Sequence, residues 1–202
     1  LKLSSFMDET ITTHNDIPQL PDGSRNCNPE GISFFKLIKE DFHTHESRFT
    51  QGFFVLALHR FGNWRMGIKN KILRLPFTII YKLAFPFTEI FCGIKLSYNV
   101  KVGRRVKIEH FGGMILGARE IGNDVTIRQN TTFGLSKKTE LNGKPIIKND
   151  VDIGCGVVIL GHVVIGEHSV IGANAVVVKD VPPYSLVVGV PGRVVRNLRD
   201  TS

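Results

Sequence analysis

IIKNDVDIGCGVVILGHVVIGEHSVIGANAVVV, residues 146–178, places an aliphatic residue at every sixth position: Ile147, Ile153, Ile159, Ile165, Ile171 and Val177. Four residues after each comes a small or β-branched one, Val151, Val157, Val163, Ser169, Ala175 and Val181. Neither the 3.6-residue helix period nor strand alternation produces a strict six. Six residues make one side of a triangular coil. Three sides, roughly eighteen residues, return the chain to the same point one coil higher, so equivalent positions stack into an apolar column.

The same frame runs upstream through Ile121, Ile127 and Phe133, with Val125 and Thr131 in the second position, and earlier through Val102 and Ile108, with Val106. Glycine follows the aliphatic residue at Gly103, Gly122, Gly134, Gly154, Gly166 and Gly172. The expectation is that these glycines turn corners whose backbone angles are costly for other residues. A stacked coil tolerates extra residues only where they leave the stack. Between Ile108 and Ile115 the step lengthens to seven around Glu109-His110-Phe111-Gly112-Gly113, which reads as a bulge. Residues 135–146, with Lys137, Lys138, Asn142-Gly143 and Lys144-Pro145, read as an extruded loop.

The expected fold is therefore mainly β, a parallel β-helix over residues 96–187 with a closing segment over 188–202, preceded by a short helical cap over 32–95. Residues 1–31 are polar, carry Pro18, Pro21 and Pro29, show no period and read as a mobile or draped arm. Ser33 to Phe49 and Gly52 to Trp64 read as amphipathic helices that cap the open end of the coil. A third helical stretch runs from Gly67 to Phe91, with breaks expected near Pro76 and Pro86. Along it Arg65, Lys69, Lys71, Arg74 and Lys82 alternate with Leu73, Phe77, Ile79, Ile80 and Leu83. That pattern suits a solvated face over a packed stripe, or interfacial contact with a membrane surface. Pro76, Lys82, Pro86, Glu89 and Lys95 interrupt the run from Leu75 to Leu96, which should not span a bilayer.

The chain has 202 residues, 42% hydrophobic and 22% charged, enough for one substantial core and inconsistent with disorder throughout. A formal charge of +8 points to an anionic partner: a phosphorylated cofactor, an anionic polysaccharide, a membrane surface or nucleic acid. Nucleic acid is set aside because the basic residues lack the interleaved exposed aromatics of a stacking surface. Cys27, Cys92 and Cys155 are too few and too scattered for a disulfide framework or a zinc cluster. With no basic start before an apolar core, no secretory signal is read. The expected location is the cytoplasm, with peripheral contact at the inner face of the membrane as a further option.

From Ser33 to Leu198 the sequence resembles the serine acetyltransferase-like branch of hexapeptide acyltransferases, which includes members that acetylate sugars of surface polysaccharides. Gly52-Phe53 through His59-Arg60-Phe61 is similar to that branch's helical signature, and Ile108-Glu109-His110-Phe111-Gly112-Gly113 to its active-site turn. Val181-Pro182-Pro183 through Val188-Gly189-Val190-Pro191-Gly192-Arg193-Val194-Val195 is similar to its closing segment. The resemblance implies a coil that winds left-handed, an acetyl-CoA co-substrate and no metal.

An alcohol attacks a thioester poorly until a base removes its proton, and a histidine titrating near neutrality suits that task. By resemblance His110 is the catalytic base; the plain alternative is a corner residue that accommodates the long step. His162 and His168, six apart, fall on adjacent sides and read as surface corner residues. That placement also argues against a zinc-dependent relative needing three converging histidines. Gly134, Cys155 and Ala173 take positions where the resemblance lays the pantetheine arm, and Lys179 and Arg193 suit the CoA phosphates. A backbone N–H near Gly134 would suit the oxyanion. Each small residue could equally be a plain corner.

Glu109, Lys144 and Gln129 are the candidate acceptor-binding residues. Compared with the serine enzymes, Lys144 replaces a second active-site histidine, Glu109 replaces an aspartate, and the acid that orients the base falls at Lys95. These departures, with the positive charge, favour a sugar hydroxyl of a capsular or O-antigen polysaccharide or its precursor. L-Serine, as in cysteine biosynthesis, is the alternative acceptor, and a non-catalytic scaffold a third reading. A lone prism carries half of each cofactor groove, so a homotrimer is expected, with the extruded loop of one subunit closing over its neighbour.

Overall fold

The structure is a computed structural model that describes residues 20, 23–137, 139 and 142–201. Most of the expected arm, residues 1–19, 21 and 22, lies outside the described residues, as do 138, 140 and 141 of the expected loop. Three helices, α1 (Phe34–Thr44), α2 (Gln51–Trp64) and α3 (Lys71–Phe91), precede a three-walled parallel coil. The first wall is β1 (Ile94–Lys95), β4 (Met114–Leu116), β7 (Thr132–Gly134), β10 (Val158–Leu160) and β13 (Val176–Val177). The second is β2 (Lys101–Val102), β5 (Glu120–Ile121), β8 (Ile146–Ile147) and β11 (Val164–Ile165). The third is β3 (Lys107–Ile108), β6 (Thr126–Ile127), β9 (Asp152–Ile153), β12 (Val170–Ile171), β14 (Ser185–Val188) and the antiparallel β15 (Arg193–Asn197).

The hexad frame sets the register. Ile121, Ile147 and Ile165 stack on one wall, Ile127, Ile153 and Ile171 on the next, and Phe133, Ile159 and Val177 on the third. All nine are buried. Because every wall faces the same axis, one apolar column fills the prism, and each buried aliphatic side chain contributes about 1.5–3 kcal/mol relative to exposure. Backbone bonds join successive coils, as in Gly103 N to Ile121 O at 2.8 Å and Lys148 N to Ile165 O at 3.0 Å.

Two expectations about the coil need correction. The step after Ile108 is eight, not seven: Leu116 pairs with Phe133, Met114 and Leu116 are buried, and Ile115 faces out. Three consecutive apolar residues leave the inward parity undecided until the neighbouring strand fixes the register. Apart from Gly134, the glycines after the aliphatic positions serve close approach, and none of them takes left-handed backbone. A Cβ on Gly103 would lie 2.6 Å from the Gly122 carbonyl carbon, and one on Gly154 would lie 2.6 Å from the Ala173 nitrogen. The left-handed corners are instead taken by polar residues, among them Asp124 (φ 58°), Asn130 (φ 61°), Asp150 (φ 54°) and Asn174 (φ 59°). Asn and Asp tolerate that region better than other side chains.

The helices differ from expectation at their ends and in the third. α1 stops at Thr44, because Glu46 and Ser47 take positive φ. α3 continues through Pro76 and Pro86. Both prolines are exposed, so the carbonyls each leaves without a helical donor can meet solvent.

α2 seals the first coil by satisfying its edge. His59 donates to Val100 O at 2.9 Å, Arg60 to Val102 O at 2.8 Å and Gly103 O at 2.6 Å, and Asn63 to Tyr98 O at 2.8 Å. Arg60 also forms a fully buried ion pair with Asp41 of α1 at 2.9 Å. Gly52 lies against the coil so closely that a Cβ there would overlap the Ile108 carbonyl oxygen. The start of α2 therefore packs directly under the strand leading to His110.

Candidate active site

His110 occupies the corner between β3 and β4 in left-handed backbone, φ 64°, with Gly112 (φ 101°) and Gly113 (φ 63°) completing the turn. The two extra residues of the long step lift this turn out of the stack, and the His110 side chain is exposed. The turn is anchored by Gly112 N to Cys92 O at 3.3 Å and Met114 N to Gly93 O at 2.9 Å.

Beside it, the Glu109 carboxylate is bonded to Lys107 at 2.9 Å and Arg128 at 3.2 Å. The Lys107 hydrogen bond, with the charges of Lys107 and Arg128, holds its carboxyl below the usual range. Lys107 also meets Glu46 at 2.9 Å, and Arg128 pairs with Asp152, so charges alternate along this edge.

A cleft of about 310 Å³ opens between this edge and the α1–α2 turn, lined by His45, Glu46, Arg48, Gln51, Glu109 and His110 among others. His45, Arg48 and Gln51 were not singled out from sequence. His45 is buried; its Nε2 accepts the Ile108 N–H at 3.2 Å, so its Nδ1–H donates to Asp41 O at 2.7 Å. Burial lowers its pKa, which keeps this neutral tautomer. The one signal in the sequence was Gly52, whose missing side chain lets α2 touch the wall.

The registers sort the candidate residues by corner. Ile108 pairs with Ile127, Ile127 with Ile153 and Ile153 with Ile171, so His110, Gln129, Cys155 and Ala173 rise along one corner. Arg193, paired with Val188 on β15, stands at the upper end of that corner, where Gly192 N bonds Val176 O at 2.7 Å. The Gln129 side-chain oxygen is buried there without a partner among the described residues. Gly134, Lys144 and Lys179 lie at the other edge of the first wall, so one chain does not bring them to His110. A Cβ on Gly134 would meet only Leu160, at an ordinary 3.7 Å, so packing does not demand glycine there. Lys144 is half-buried, and burial, then the Arg119 charge, lowers its pKa.

Lys95 pairs with Glu89 at 3.0 Å. His168 bonds Asp150 at 2.7 Å and stacks on Tyr184 at the second-to-third wall corner, while His162 lies at the first-to-second. With His110 at the remaining corner the three histidines diverge, and no group suited to a metal occurs among the described residues.

Residues 144–179 match the family model described as bacterial transferase hexapeptide (six repeats). A serine acetyltransferase of Bacillus subtilis is 36% identical over 168 residues, 80% of this chain and 77% of the relative. The chain belongs to the serine acetyltransferase family. A Mycobacterium tuberculosis serine acetyltransferase is 40% identical over 138 residues, 68% of this chain and 57% of the relative. Among solved structures, the Neisseria gonorrhoeae serine acetyltransferase superposes with TM-score 0.68 and 30% identity, covering 81% of this chain and 66% of that one. The same protein in complex with serine gives TM-score 0.66 and 26% identity over 81% and 69%.

The fold is thus the left-handed parallel β-helix of this family with short N-terminal helices, and the chain is an acyltransferase with an acetyl-CoA donor. The expected sugar acceptor, with its capsular or O-antigen setting, is corrected. Relatives at 36 and 40% identity are serine acetyltransferases, and substituted positions around the base do not remove the chain from that family. The scaffold reading falls with it.

Proposed function

We propose that this chain transfers the acetyl group of acetyl-CoA to the hydroxyl of L-serine, with His110 as general base. The observation that carries the reading is His110 held in left-handed backbone on an outward turn, in a family whose relatives are serine acetyltransferases. His110 takes the proton as the serine oxygen attacks the thioester carbonyl. The tetrahedral intermediate then expels the CoA thiolate, which recovers that proton from the imidazolium. No metal takes part in this scheme. Glu109, kept ionised by Lys107 and Arg128, supplies a carboxylate beside the base as an acceptor for the serine ammonium. The Gln129 side chain, whose oxygen has no partner among the described residues, is assigned to the same ammonium once that oxygen turns toward the cleft. Lys144 is assigned to the serine carboxylate.

The two corners that carry candidate residues meet in a homotrimer, where one subunit's Gly134, Lys144 and Lys179 lie beside its neighbour's His110, Cys155, Ala173 and Arg193. The pantetheine arm then runs along the small residues and its phosphates meet Lys179 and Arg193. Free CoA release from acetyl-CoA, with L-serine, L-homoserine and acidic oligosaccharides as acceptors, tests the assignment. Serine-dependent release with O-acetyl-L-serine as product is expected; release with the glycans and none with serine would overturn it.

A further inference from the structure

The inner face of α3 is packed: Phe77 meets Trp64 at 5.3 Å and Phe61 at 6.3 Å, and Tyr81 and Thr88 are buried. Its outer face is not. Ile72, Ile79, Leu83 and Ile90, spaced to align along one side of a helix, are 80, 50, 75 and 75% exposed, and Leu75 and Phe87 widen the stripe. A helix of 21 residues makes this stripe roughly 30 Å long. An apolar surface of that extent marks an interaction site.

The surroundings of the stripe select the partner. Exposed Lys71 and Lys82 flank one edge and Lys69 precedes it, while Glu89, the acidic residue of this helix, is tied to Lys95 at 3.0 Å. The whole chain carries +8. Pairing this face with a second copy would bring like cationic edges together, whereas an anionic lipid surface complements them. Pro76 and Pro86 leave the Ile72 and Lys82 carbonyls without helical donors on the exposed side. Such carbonyls are tolerated at headgroup depth, where water remains, and not within hydrocarbon. No described helix is long and apolar enough to cross a membrane.

We infer that α3 docks in-plane on an anionic phospholipid surface, its apolar stripe among the acyl-chain boundaries and Lys69, Lys71 and Lys82 at the phosphates. The test is co-sedimentation of the full chain with vesicles of phosphatidylcholine alone or mixed with phosphatidylglycerol. Ile79→Ser/Leu83→Ser and Lys71→Gln/Lys82→Gln double variants are compared with wild type, with folding followed by circular dichroism and assembly mass by light scattering. Wild type should bind the mixed vesicles, and less so as salt rises. Each double variant should bind at least about tenfold less at unchanged mass and fold. Absence of wild-type binding to the mixed vesicles, or binding indifferent to both variants, would overturn the proposal. A smaller assembly for Ile79→Ser/Leu83→Ser, together with no lipid binding by wild type, would assign the stripe to contact between copies.

Discussion

Glu109, bridged by Lys107 and Arg128, shows how one side chain's setting fixes its charge. It stays ionised at neutral pH, beside the group assigned to take the proton. Lys144 is the converse: half-buried near Arg119, it loses hydration and has a lowered pKa, as befits a cation waiting for an anionic partner. Replacing Lys144 by Ala should raise KM for L-serine about tenfold and leave KM for acetyl-CoA within about twofold, the size of one lost charge-assisted contact. Steady-state kinetics with each substrate varied in turn checks this split. The outward turn that carries His110 was legible in the sequence because it interrupts a strict hexad. His45 was not, since a buried histidine that accepts one backbone N–H and donates to one carbonyl leaves no periodic trace. The acceptor was not legible from Lys95, Glu109 and Lys144, because single positions carry less of the family than similarity along the chain does.

The helical cap is fastened to the coil by few groups, and Arg60 is central. It neutralises Asp41 and satisfies two carbonyls of the first coil, with neither charge exposed. Arg60→Ala would leave a buried carboxylate and two strand-edge acceptors without partners, and should cost about 3–5 kcal/mol. Chemical denaturation at fixed pH would measure it; a loss below about 1 kcal/mol would mean that the cap is held by apolar packing alone. The coil itself was legible from the hexads, since each aliphatic residue reports its own depth. Helix ends and continuity were less so: two positive-φ residues end α1, while two prolines fail to end α3 because the carbonyls they free are on its exposed side. Spacing located the glycines but gave the wrong reason for them: all but Gly134 serve close approach between coils, which appears only once coils are stacked.

For the molecule as a whole, acid should be the weak flank. His59 is wholly buried, bonded through Nε2 to Val100 O and next to Arg60; burial, then the Arg60 charge, pushes its pKa down from 6.5 to about 3. The unfolded chain therefore takes up the proton first. The stabilisation is complete above about pH 6.5 and declines as pH falls toward 3, with His45 contributing in the same direction. The unfolding free energy from urea titrations should accordingly fall steadily between pH 7 and pH 4, by about a few kcal/mol in total, and the dependence on pH should flatten in His59→Gln. His110, on an outward turn of this coil, is the base assigned to acetyl transfer to L-serine. The most direct test of that role is free CoA release from acetyl-CoA with L-serine by wild type and by His110→Ala, both confirmed folded by circular dichroism. A fall of roughly 10²–10⁴-fold is expected for loss of the general base; activity retained within about tenfold would contradict the account.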